Sequence, residues 1–354
     1  MKNLALALAL ALAPVLPCGL TGCLSFHAGA MPGEPHTAKY AAVDGARIRY
    51  LDKGQGPPVV LLHGFASSLE TWDLLVPDLE RTHRVIALDL KGFGWSDRPE
   101  GDYSPAAEAR LVIKLLDQLG VKRAAFVAHS WGSSVALALA LAAPERVTRI
   151  ALYDAWVYEE QIPTTFIMAR ADGLGEMLFG LFYDQRPDER IALAFYNKDF
   201  VTEPLVEAVE ASLDRPGTTA AALASVRGQR FSEQQARYRT IEKPVLLLWG
   251  REDVVTTVKF AERLSRDLPH ARLVVYPQCG HFPMFEAKRQ SNEDLLKFLA
   301  EEDPPVATVE APKPAPPPAA ASAVSPAAAR TAPPVAPPAA PPASPKAAKA
   351  EDDQ

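Results

Sequence analysis

The sequence predicts an α/β fold: a mainly parallel β-sheet with helices on both faces and an inserted helical lid. Three observations predict it. From about residue 40 to residue 300, short apolar runs alternate with stretches of helical length, the pattern of successive strand–helix–strand units. The runs Val59–Leu62, Ala124–Ala128 and Val245–Trp249 are apolar throughout, as strands covered on both faces are. Between about Asp154 and Thr240 the strand pattern lapses. Aromatic, Met and acidic residues recur there at helical spacings, punctuated by Pro163, Pro187, Pro204 and Pro216.

The chain has 354 residues, 48% of them apolar, and a net charge of −6. That is ample for a core, and the acidic balance argues against a nucleic-acid partner. No Cys/His cluster has zinc spacing, so no metal or cofactor is expected. The N-terminus reads as an export signal. Met1-Lys2 is a minimal basic start, and Leu4–Leu16 is an Ala/Leu run too short to span a bilayer comfortably. It leads to Leu20-Thr21-Gly22-Cys23, which resembles a bacterial lipobox. The resemblance implies a signal peptide over 1–22 and a lipid on the Cys23 sulfur. It places the protein in the cell envelope, held to a membrane through Cys23. Leu24 rather than Asp follows, which favours the outer membrane or the periplasmic face. Cys18 leaves with the signal, so Cys279 has no partner for an internal disulfide.

In order along the chain, 23–39 is Gly/Pro/Ala-rich and reads as a tether. Ala46–Tyr50 alternates as a half-buried strand, and Asp52–Pro57 is a turn. Val59–Leu62 is a buried strand running into His63-Gly64-Phe65. A helix with Trp72, Leu75 and Leu79 follows, then a strand at Arg84–Leu88 that opens into Asp89 and Gly92-Phe93-Gly94. A helix from Pro105 to Leu119 ends at Gly120, a natural cap. The strand Ala124–Ala128 meets His129-Ser130-Trp131-Gly132 and a helix from Ser134 to Ala143, and Val147–Tyr153 is a further strand. After the lid, 154–240, come the strand Pro244–Gly250, Arg251-Glu252-Asp253, a helix to Leu268, and the strand Arg272–Tyr276. Then come Cys279-Gly280-His281 and a last helix over 287–300. The core is therefore 40–153 with 241–302. Of the 52 residues from Asp303 to Gln354, 15 are Pro and none is aromatic. Such a tail cannot bury enough apolar surface to fold; it is a spacer or a contact with the cell envelope.

Ala128-His129-Ser130-Trp131-Gly132 differs by one residue from the Gly-x-Ser-x-Gly nucleophile elbow. Small residues are needed two before and two after the serine because the backbone reverses sharply there. Ser130 then stands at a helix N-terminus, beside the free N–H of Trp131. With His63-Gly64-Phe65, Gly250-Arg251-Glu252-Asp253 and Gly280-His281 in that order, the chain resembles the alpha/beta-hydrolase superfamily, in a lidded serine esterase-like branch, across nearly all of residues 40–300. The resemblance implies a triad of Ser130, Asp253 and His281, with the backbone N–H groups of Phe65 and Trp131 as the oxyanion hole. Asp154, closing the preceding strand, is the rival acid. His63 and His129 are expected to be structural, and Cys279 to be a small wall residue. A dinucleotide site at Gly92-Phe93-Gly94 is excluded, because the third Gly and the helix opening are missing. Trp156, Tyr158, Phe166, Met168, Met177, Phe179, Phe182 and Tyr183 could line an apolar pocket, two or three of them as true walls.

The implied partner is a small-molecule ester or acyl substrate, cleaved through an acyl-enzyme. The same residues serve carbon–carbon bond hydrolases, amidases, haloperoxidase-like enzymes and acyltransferases, of which the carbon–carbon hydrolase stands nearest. A non-catalytic envelope-binding module is the remaining class, disfavoured because every element of the triad is present.

Overall fold

The computed structural model describes residues 24–302. The expected signal peptide, Cys23 and the Pro/Ala-rich segment from Asp303 lie outside the described residues. Eight strands make one sheet: β1 (Lys39–Val43), β2 (Ala46–Lys53), β3 (Pro58–Leu62), β4 (Arg84–Leu88), β5 (Ala124–His129), β6 (Val147–Tyr153), β7 (Val245–Gly250) and β8 (Ala271–Tyr276). Their order across the sheet is β1-β2-β4-β3-β5-β6-β7-β8. β2 pairs antiparallel with β1 and β4, and all other pairings are parallel. This is the alpha/beta-hydrolase fold, a mostly parallel sheet between helices.

Period-two alternation explains the continuously apolar strands. Val60, Leu62, Phe126, Ala128, Ile150 and Leu247 bury one face, beneath the helices Pro105–Gln118, Trp131–Ala142 and Val258–Asp267. Val59, Leu61, Val127, Ala151, Leu246 and Leu248 bury the other, against Trp72, Leu75 and Leu79 and the helix Lys288–Leu299. The chain leaves β3 for β4 on one side, then crosses back to β5 on the other. Such a switch in direction opens a crevice beyond the carboxyl ends of the two central strands.

Local chemistry sets the boundaries. Ser104 caps the helix Pro105–Gln118 by accepting the Ala107 N–H at 3.2 Å, and Gly120 leaves it at φ 71°. The elbow helix begins at Trp131, three residues earlier than the apolar pattern suggests. The expected helix around Trp72–Leu79 is two short turns, Leu69–Trp72 and Val76–Leu79. β1 lies outside the sequence expectation because Lys39–Val43 is Ala-rich and half-exposed. Its signal was Asp44-Gly45, both at positive φ, as a two-residue hairpin turn requires.

Two further segments position the site. Between β6 and β7 lies a helical insertion with helices Thr164–Ala169, Leu174–Phe182, Pro187–Ala194, Glu203–Leu213 and Thr218–Gly228. Residues from Leu24 onward, expected as a tether, lie along the body instead. His27 and Arg98 exchange backbone hydrogen bonds of 2.8 and 2.7 Å, Phe26 stacks on Tyr103, and Met31 is buried.

Glu108, within the helix Pro105–Gln118, is fully buried. Its carboxylate accepts the Lys91 N–H at 3.2 Å, and the Lys91 ammonium stands 4.0 Å away. Burial outweighs both and pushes its pKa up to about 8. The native state therefore keeps a proton that the unfolded chain releases above about pH 4.3. That contribution to stability is full below the unfolded pKa and is lost as pH rises toward about 8. Urea unfolding across this window should show the parent losing up to about 1.4 kcal/mol per pH unit relative to Glu108→Gln. Parallel pH profiles for the two proteins would refute the assignment.

Candidate active site

Ser130 connects β5 to the helix Trp131–Ala142 at φ 50° and ψ −121°. That conformation is strained for a residue with a Cβ and persists only where its surroundings impose it. Here the Ser130 N–H donates to the Tyr153 carbonyl at 2.9 Å, and its own carbonyl accepts the Trp156 N–H at 3.0 Å. Gly132 is needed because a Cβ there would lie 2.4 Å from the His63 carbonyl oxygen. Trp131 is the first helical residue, so its N–H has no carbonyl one turn back. A Cβ on Gly64 would stand 3.0 Å from the Ser130 Cβ. The His63-Gly64-Phe65 loop thus passes close against the serine.

Asp253 follows β7 and His281 follows β8, and the two turns touch: a Cβ on Gly250 would meet the Gly280 carbonyl at 1.8 Å. His281 Nδ1 and Asp253 Oδ2 are 2.8 Å apart. Asp253 Oδ1 accepts the N–H groups of Val255 and Thr256, at 2.7 and 3.1 Å, and the Thr256 hydroxyl donates to Oδ2 at 2.6 Å. Burial alone would raise this pKa. The charge and hydrogen bond of His281, then the Thr256 hydroxyl, overcome it and hold the carboxyl well below the usual range. With Nδ1 turned to the carboxylate, Nε2 of His281 is the nitrogen left to exchange a proton.

Asp154, the rival acid, is fully buried beyond β6, and its Oδ1 accepts the Gly250 N–H at 3.0 Å. Its carboxylate lies within 4.8 Å of both Asp253 and His281. Burial, and next the Asp253 charge, push its pKa well above the usual range. Burial thus favours the neutral form of Asp154 behind a charged Asp253, and the imidazole bonds to Asp253. Three such groups could surround a cation, but His281 Nδ1 and both Asp253 oxygens are already engaged with each other and with Val255 and Thr256.

The flanking histidines are structural. His63 Nε2 accepts the Leu90 N–H at 2.9 Å, so its Nδ1 carries the proton and donates to the Gly64 carbonyl at 2.7 Å. His129 Nε2 donates to the His281 carbonyl at 2.8 Å, tying the histidine turn to the elbow. Burial lowers the pKa of each. Cys279 is buried and its thiol pKa is pushed up by desolvation, the opposite of an activated nucleophile. Asp89 accepts the N–H groups of Leu69 and Trp95, both at 2.7 Å, and so holds the loop whose Phe93 packs on Phe65 and Trp131.

Sequence reasoning missed how the insertion grips the site. The His281 N–H donates to the Ala194 carbonyl at 2.7 Å. Glu286 accepts the Gly280 N–H and, with its other oxygen, the Asn197 N–H, each at 2.7 Å. Phe195 stacks on Phe282, the residue after the histidine, with centroids 4.7 Å apart. Over the serine, Phe65 meets Trp156, Phe166 and Tyr183 at centroid distances of 5.5 to 6.5 Å. Phe179 backs them, packing on Phe166 and Tyr183, while the remaining expected wall residues point elsewhere. Met168, Met177 and Phe182 are exposed, and Tyr158 donates to Asp267 while packing on Tyr238 and Phe260. Helical spacing cannot separate an inner from an outer apolar face when both are apolar.

The sequence pattern of the alpha/beta hydrolase fold matches residues 57–288, and the chain belongs to that family. It is 29% identical over 281 residues to a 2-hydroxymuconate semialdehyde hydrolase of Pseudomonas sp. (strain CF600), covering 76% of this chain and 96% of that one. Among solved structures, it resembles a mutant of the meta-cleavage product hydrolase CumD, with TM-score 0.64 and 27% identity, over 75% of this chain and 98% of the other. It also resembles Est816, an N-acyl homoserine lactone degrading enzyme, with TM-score 0.62 and 27% identity, over 73% and 100%. The protein is a hydrolase.

Glu286→Ala would leave two backbone donors without their acceptor and loosen the turn that carries His281. A misplacement of about 1 Å can cost on the order of 100-fold in rate, so labelling of Ser130 by a fluorophosphonate should slow by roughly 10- to 100-fold. The Tm identifies any general loss of fold. Unchanged labelling would show that the strap does not position the histidine.

Proposed function

We propose that the protein is a lipid-anchored serine hydrolase that cleaves a carboxylic ester through an acyl-enzyme. The observation that carries this reading is the 2.8 Å bond between His281 and a charged, buried Asp253, together with a serine held in the elbow conformation against Gly64 of the Phe65 loop. A serine hydroxyl is a weak nucleophile without a base. His281 Nε2 takes the Ser130 proton as Oγ attacks the ester carbonyl, and returns it to the departing alkoxide. Asp253 fixes the tautomer and stabilises the imidazolium, while neutral Asp154 supports it from behind. The N–H groups of Phe65 and Trp131 receive the oxyanion, each worth about 3–4 kcal/mol in comparable sites. Water, activated by the same imidazole, then releases the acid.

The anchoring part of the proposal rests on Leu20-Thr21-Gly22-Cys23 at the end of an apolar N-terminal run. Among the described residues, no helix is long and apolar enough to cross a membrane, so a lipid on Cys23 would supply the attachment. Residues 1–22 are then the signal, 154–240 the lid, and 303–354 a spacer that reaches into the envelope. Metabolic labelling with a fatty-acid probe should mark the parent and not Cys23→Ala.

One alternative has specific support. The similarity to a 2-hydroxymuconate semialdehyde hydrolase and to CumD favours a carbon–carbon bond hydrolase built on the same triad. The deciding assay compares p-nitrophenyl esters of short and long acyl chains with a vinylogous diketone from ring cleavage, using a soluble chain that begins at Leu24. Ester turnover should fall by on the order of 10³-fold or more in Ser130→Ala. It should fall by on the order of 10³- to 10⁴-fold in Asp253→Asn, and by less than about 10-fold in Asp154→Asn. Turnover that survives Ser130→Ala sinks the triad. Turnover of the diketone alone moves the reading to the carbon–carbon bond.

A further inference from the structure

We infer that the outer face of the helical insertion is a membrane-docking surface, seated on the bilayer to which Cys23 would be anchored. Leu24 shows where that bilayer must lie. Its side chain packs against the apolar cluster that includes Phe179, Tyr183 and Leu223, and a Cβ added to Gly180 would stand 4.0 Å from it. It also lines a cavity of about 530 Å³ between the N-terminal segment and the insertion, beside Phe26, Tyr103 and Arg227. The following residues are fixed by the His27–Arg98 bridge. The described chain therefore lies against the body from its first residue, Leu24. One residue spans at most ~3.6 Å, so a lipid on the Cys23 sulfur holds the membrane surface close to the helix Leu174–Phe182.

That neighbourhood is apolar on the outside. Ile167, Met168, Met177 and Leu181 are about half exposed, and Phe182 is 60% exposed. Met177 and Leu181 are one turn apart on one helix face, and the helix carrying Ile167 and Met168 packs against it through Ala169 and Phe179. Scattered apolar residues are ordinary on a surface, whereas a cluster of this kind marks an interaction site. Its inner side meets Phe65 over the serine, so the same helices face both the site and the exterior.

Charge narrows the partner. Residues 164–196 hold three Arg and five Asp or Glu, a poor match for anionic headgroups. Insertion is then driven by apolar burial and works on a neutral bilayer. The orientation rests on the Cys23 reading, but the surface does not, and the test separates them.

The soluble chain beginning at Leu24, which lacks both the apolar N-terminal run and Cys23, would be mixed with phosphatidylcholine vesicles and floated on a density gradient. It should associate weakly, with little dependence on salt. Met177→Glu/Leu181→Glu/Phe182→Glu should reduce the bound fraction by on the order of 10-fold or more, with Tm and Ser130 labelling by a fluorophosphonate retained. Absence of binding by the chain beginning at Leu24 overturns the proposal. So does a concentration-dependent dimer, abolished by the three charges, in a chain that ignores vesicles; the covering partner would then be a second copy. Binding that persists while esters are not cleaved leaves the surface standing and removes the ester reading. Equal fatty-acid labelling of parent and Cys23→Ala removes the anchor without touching vesicle binding.

Discussion

The reversal at Ser130 is the constraint on which the site depends. A strand must end, one residue must enter a backbone region hostile to side chains, and a helix must start at once. The reversal is tolerable only because its neighbours leave no alternative. Gly132 lets the elbow helix come against the His63 carbonyl, and Gly64 lets the Phe65 loop come against the serine. The Tyr153 carbonyl and the Trp156 N–H grip Ser130 from β6 and the chain just beyond it. The strain is therefore distributed over three strands of the parallel sheet, β3, β5 and β6. This is the physical reason such a serine needs a whole sheet behind it and not a local loop.

Two buried carboxyl groups, one bonded to the imidazole at 2.8 Å and the other within 4.8 Å of both, pose an electrostatic problem. Two negative charges there would repel each other across a medium of low dielectric. The structure resolves it by unequal solvation. Asp253 collects two backbone N–H groups, a hydroxyl and the imidazole; Asp154 receives a single N–H from Gly250. Charge settles on the better-solvated carboxylate, and the poorer one keeps its proton. The distinction between the two acids is thus decided by donors on the β7 turn.

Much of this was legible in the sequence, for identifiable reasons. The parallel sheet announces itself because strands buried on both faces must be apolar at every position, as Val59–Leu62 and Val245–Trp249 are. The placement of Ser130, Asp253 and His281 just beyond strands was readable because small residues mark each turn. β1 was missed for lack of an apolar face, although Asp44-Gly45 marked the hairpin. The tether was misjudged because Gly and Pro content reports local propensity, while the contacts of Phe26, His27 and Met31 are long-range. Asp253 was preferred to Asp154 through the family resemblance alone, since both follow apolar strands and the donors that distinguish them are visible only in the structure.

The insertion had the least legible role, because its helices are apolar on two sides for two reasons. The inner aromatics fill the space over Phe65; the strap of Ala194, Asn197 and Glu286 fixes the turn of His281. A segment that both roofs the serine and positions its base cannot move far without disturbing catalysis. An apolar outer face bearing on a surface would therefore act on the chemistry through Leu174–Phe182 and the 194–197 strap. Coupling of this kind would require no separate regulatory site, because the insertion is hydrogen-bonded directly to the turn that carries His281.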